Sequence, residues 1–119
     1  MTAPHEPGLR VLVYHRAPDG RPEAVVEAYR RAALQLRGTS GLLAYELLSS
    51  PADRGRHLLV MDWTDRGAFT RWERAFRSAG HPSPLRPYQD RSRPGGHYEI
   101  YLAASRPRQD GSSTCQSPG

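Results

Sequence analysis

The residues richest in chemistry stand close together between His57 and His81, in the run HLLVMDWTDRGAFTRWERAFRSAGH. Phe69, Trp72 and Phe76 fall at i, i+3 and i+7, a spacing that sets three large rings on one stripe of a helix. Upstream, Leu59, Met61 and Trp63 alternate in a short apolar run and project to one side of a strand. A strand face laid against that stripe makes a cleft with aromatic walls, little water and few acids, and His81 stands at its mouth. Rings at helical spacing also serve as plain core, because they bury a large area wherever they pack.

Other chemistries find less support. The histidines at 5, 15, 57, 81 and 97 form no metal-binding pair at helical spacing and sit among no clustered carboxylates, so no metal is expected. Glycines stand singly or as Gly95-Gly96, which leaves no loop to cradle a phosphate, and neither a nucleotide nor a nicotinamide cofactor is expected. The one cysteine, Cys115, has no internal partner for a disulfide. The net charge is +5, and all seventeen basic residues are arginine, spread along the chain as a GC-rich coding sequence would spread them. Nucleic acid is therefore not an expected partner. No stretch approaches the ~20 apolar residues of a membrane span, and MTAPHEPGLR lacks a signal-peptide pattern. The expectation is a cytoplasmic protein with no membrane partner.

To position the ring-bearing stretch, 119 residues supply one domain. Residues 1–8 read as a flexible lead-in, 9–105 as the domain, and 106–119 as a tail of disordered composition. Leu9 to His15 alternates Leu9, Val11, Val13 and His15 against Arg10, Leu12 and Tyr14, which predicts a first strand. Pro18-Asp19-Gly20 turns the chain into a helix from Pro22 to Leu36, closed by Gly38. Gly41 to Ser49 is a second strand with Leu43, Tyr45 and Leu47 on one face and Leu42, Ala44, Glu46 and Leu48 on the other. After a hairpin turn over Pro51 to Arg56 come the third strand and the second helix, capped by Thr64 or Asp65 and ended at Ala79-Gly80. Pro82, Pro84 and Pro87 limit Ser83 to Asp90 to a short helical turn, and Tyr98 to Ala104 closes the sheet.

Strand, helix, strand, strand, helix, strand is the order of an α+β ferredoxin-like fold, a four-stranded antiparallel sheet with both helices on one face. The second and third strands are apolar on both sides, so a second sheet is the natural cover for the other face. A homodimer formed sheet to sheet is expected.

Trp63, the polar turn, Ala68-Phe69, Trp72, Phe76 and His81, in that order after a strand, resemble the antibiotic biosynthesis monooxygenase (ABM) domain. Members of that family often read W-x-s-x-x-A-(F/Y)-x-x-(W/H) here, and with the flanking elements the resemblance covers about Leu9 to Ser105. It implies a dimeric α+β barrel. It also implies an activity, since several ABM enzymes oxidise anthrone-like polyketide phenols to quinones with O2 and without metal or flavin. A deprotonated substrate of that kind can itself pass an electron to O2. The protein then needs a base, a group that holds the anion, and a wall that excludes water.

On this resemblance the catalytic set is His81 as base, Arg86 of the Leu85-Arg86 pair as oxyanion holder, and Trp63, which matches the tryptophan of the anthrone-oxidising members. Trp72, Phe69, Leu59, Met61, Tyr45 and His15 are the expected substrate contacts, and no cofactor is implied. Those members carry an asparagine where this chain has Leu59 and a tyrosine where it has Phe69. Heme-degrading monooxygenases of the same fold place a tryptophan and an axial histidine about one helix apart, and Trp72 with His81 looks similar. Their first-strand asparagine is replaced here by His15 or Tyr14. A polyketide cyclase or isomerase that works by confinement, or a binding protein with no chemistry, is the remaining alternative.

Overall fold

The computed structural model describes residues 7–104. The 106–119 tail, Cys115, and all but the last two residues of the lead-in lie outside the described residues. Within them the chain runs β1 (Leu9–Arg16), α1 (Ala24–Leu36), β2 (Leu42–Ser49), β3 (Arg56–Trp63), α2 (Arg66–Ser78), a short 3-10 turn at Arg86–Tyr88, and β4 (Tyr98–Leu102). The strands form one antiparallel sheet in the order β2-β3-β1-β4. This is the expected α+β ferredoxin-like arrangement.

Strand alternation decides which side chains meet the helices. In β3 every second residue is buried, namely His57, Leu59, Met61 and Trp63, and β1 contributes Leu9, Val11 and His15 beside them. The first helix lays mostly small residues on this face. Ala24, Val25, Ala28, Ala32 and Leu36 of α1 are buried, and alanines at the contact let the helix axis come close to the sheet. α2 begins at Asp65, whose side chain accepts from the Ala68 N–H at 2.9 Å, satisfying one of the orphan donors of the first turn.

Two local features differ from the sequence reading. Pro22 lies ahead of α1, whose cap is Glu23, so the helix starts two residues later than expected. Gly38 does follow the last turn of that helix, at φ +76°, a conformation that favours glycine. The faces of β2 also change. A bulge between Leu42 and Ala44 places Leu42 opposite Trp63 and Tyr45 opposite Met61, so Leu42, not Leu43, joins Tyr45 and Leu47 against the core. Leu43, the extra residue, is 60% exposed.

Among the described residues, nothing forms a layer over the other sheet face. Leu12, Leu58 and Val60 are half-buried there, and Leu48 and Tyr101 are largely exposed. Polar links cross the same face: Arg10 Nε donates to Asp62 at 2.8 Å, and Tyr14 Oη donates to Glu99 at 2.7 Å.

Candidate active site

A cavity of about 540 Å³ opens between the helix-facing side of the sheet, α2 and the chain that follows α2. Val11, Val13, Leu59 and Met61 make its floor, and Phe69, Trp72 and Phe76 line one wall. The three rings form a continuous series. Phe69 and Trp72 lie 6.1 Å apart, and Trp72 and Phe76 stack at 5.3 Å with planes 22° apart. The i, i+3, i+7 spacing delivers this wall, because side chains one turn apart overlie one another on a helix.

Trp63 stands behind the wall and outside the cavity lining. It is 1% exposed and meets Phe69 edge-on at 5.6 Å and Trp72 at 5.4 Å. It packs against the two rings that do line the space. Tyr45 also falls outside the lining and packs against α1, where its hydroxyl donates to the Ala33 carbonyl at 3.5 Å. The other residues named from the sequence, His81, Arg86, Trp72, Phe69, Leu59, Met61 and His15, all line one cavity.

His81 and Arg86 sit on the rim and are exposed. The segment that carries them leaves α2 at Gly80, whose φ of +74° turns the chain back toward the sheet. Leu85, 2% exposed, anchors that segment in the core and so sets where Arg86 emerges.

The opposite end of the cavity was not legible in the sequence. There His15 stands one residue before the end of β1, and the chain after the 3-10 turn bridges to it. Gln89 forms an isolated bridge with His15, the Asp90 N–H donates to the Tyr14 carbonyl at 2.9 Å, and the Tyr14 N–H donates to the His97 carbonyl at 2.7 Å. These bonds gather Gln89, Arg91 and His97 around His15 at the cavity surface. His15 is 1% exposed and its Nδ1 has no partner among the described residues; burial pushes its pKa down to about 4, so the ring is neutral at pH 7. Burial, then the nearby Arg91 charge, lowers His97 as well. Among the described residues, no three His, Cys, Asp or Glu side chains converge as metal ligands would.

The Antibiotic biosynthesis monooxygenase family profile matches residues 8–78, more than half of the chain. The chain belongs to that family. Solved structures similar to this ABM protein include one of unknown function from Bacteroides thetaiotaomicron, described as a possible oxidoreductase. It is 15% identical, with 82% of this chain and 99% of that one covered at a TM-score of 0.65. A mutant of SnoaB, a cofactor-independent oxygenase from Streptomyces nogalater, is 19% identical over 85% of this chain and 95% of its own, at a TM-score of 0.62. A heme-degrading protein from Mycobacterium tuberculosis is 15% identical over 87% of this chain and 99% of its own, at a TM-score of 0.60. At such identities the likeness establishes the fold of this ABM domain and not its substrate. No curated protein matches the chain in sequence. Among the described residues, no helix is long and apolar enough to cross a membrane.

Proposed function

We propose that this ABM protein is a cytoplasmic, homodimeric, cofactor-independent monooxygenase that oxidises an anthrone- or hydroquinone-like aromatic polyketide with O2 to a quinone. The observation that carries the reading is the cavity itself: a wall of three rings facing an apolar floor, with an imidazole and a guanidinium on its rim. A planar polycyclic phenol fits that wall by stacking. The rim supplies the polar groups the chemistry requires.

His81 removes a proton from the acidic ring carbon, and the extended anion that results is held by Arg86 at its oxygen. The anion gives one electron to O2, and the radical pair joins as a carbon-bound peroxide, which takes up a proton. The last hydrogen then leaves that carbon as the O–O bond breaks, so that water departs and the carbon becomes a carbonyl. One oxygen atom of O2 thus enters the product and the other leaves as water. The apolar floor and the rings keep bulk water from quenching the anion. Trp63 positions Phe69 and Trp72 from behind.

The open sheet face supports the dimer, because among the described residues no second layer covers Leu12, Leu58 and Val60 there. Product analysis with isotopically labelled dioxygen tests the reaction: one labelled atom in the quinone carbonyl is expected. Unlabelled product formed without O2 consumption would make the protein a cyclase or isomerase instead, and a Soret shift on heme addition with ring opening would make it a heme oxygenase.

A further inference from the structure

The charge around the cavity is unbalanced. Arg77, Arg86 and Arg91 line it against a single acid, Glu73. Glu73 is already engaged, with Arg77 Nη2 at 3.3 Å from its carboxylate. Among the described residues Arg86 and Arg91 have no carboxylate partner. Two uncompensated guanidiniums, both exposed, therefore stand at the border of an apolar cleft and favour an anion there.

Arg91 is the better placed of the two to read a ligand's substituent. Its Nη2 donates to Gln89 Oε1 at 2.8 Å, and Gln89 is itself tied to the end of β1 by its bridge with His15. That contact uses a neutral acceptor, so it fixes the guanidinium's direction and leaves its charge uncancelled. His97 shares this end of the cavity and its ring feels the Arg91 charge, which places that charge inside the cleft's electrostatic reach.

We propose that Arg91, oriented by Gln89 and standing beside His97, is a specificity-determining residue that receives an anionic substituent of the ligand, so that the preferred ligands are planar aromatic acids carrying a carboxylate. This rests on the aromatic-ligand reading of the cavity given above. The rings hold the flat part of the ligand, and Arg91 selects the end that carries charge. No bond forms or breaks at Arg91.

The test is calorimetric titration of the full chain with a matched pair, anthracene-9-carboxylate and anthracene-9-carboxamide, which share shape and differ in charge. The expected result is that the carboxylate binds about fivefold tighter at low salt, the scale of an ion pair open to water. Raising ionic strength from about 0.05 to 0.5 M should erode the preference. Arg91→Gln should abolish it and leave carboxamide affinity unchanged, while Arg91→Lys, which keeps charge without the fork, should restore part of it. Equal binding of the two ligands by the unaltered protein, or a preference that survives Arg91→Gln, overturns the proposal and leaves the aromatic-ligand reading standing. Failure of both ligands to bind overturns the two together.

Discussion

His15 and His57 face each other across β1 and β3, at 1% and 3% exposure, each with an Nδ1 that finds no hydrogen-bond partner among the described residues. Both point into the helix-covered side of the sheet. A protonated imidazole there would be a buried charge beside a second ring, so the fold disfavours the charged form of His15.

Acid should therefore destabilise the protein through His15. Its pKa falls from the ordinary 6.5 to about 4 on folding, so between those values the unfolded chain binds the extra proton. The contribution, on the order of 3 kcal/mol, is fully present above pH 6.5 and drains away as pH falls toward 4. His97, lowered in the same direction, adds to the trend. Urea midpoints from pH 7.5 to 4.5 should decline in the unaltered protein, and His15→Leu should flatten most of that decline; parallel curves would show that His15 does not carry it.

Gly41 should resist replacement. It sits at φ +86°, and a Cβ there would collide with the Ala68 side chain at the start of α2. Gly41→Ala combines backbone strain with overpacking, and a loss of about 2–4 kcal/mol is expected from thermal or urea unfolding. A change below about 0.5 kcal/mol would mean that β2 and α2 can separate freely.

Trp63 and the rim should part company under mutation. Trp63→Ala removes the ring that backs Phe69 and Trp72, and should cost about 3–5 kcal/mol of stability. His81→Ala and Arg86→Ala, both exposed, should leave Tm unchanged and lower kcat by about a hundredfold. If instead both rim variants turn over normally, the base and the oxyanion holder lie elsewhere in the cavity.

The fold was legible because β1, β3 and both helices obey their periods cleanly, and the ring wall followed from helical spacing alone. What escaped was non-local or irregular. The bulge that exchanges Leu42 for Leu43 depends on pairing with β3, which no window of sequence contains. Trp63 read as a cavity residue because alternation names its face of the sheet, but not how deep on that face it sits. Gln89, Arg91 and His97 lie in a loop without periodicity and reach the cavity only because the chain bonds back to Tyr14 and His15.

The open face should behave as an interface. Leu58→Asp places a charge among Leu12, Leu48 and Val60, and light scattering should show the proposed dimer turning into monomer while the far-UV spectrum is kept. A mass unchanged by the substitution would place any dimer contact on another surface.

The central claim is tested most directly by O2 uptake of the purified, metal-stripped protein given an anthrone-type hydroquinone, against the slow autoxidation of that substrate alone. Uptake at least tenfold above the baseline, lost in the His81→Ala and Arg86→Ala variants, is the predicted result. Uptake at the baseline, with the substrate nonetheless bound, would contradict oxygenation and leave the cavity to a cyclase or a binding protein.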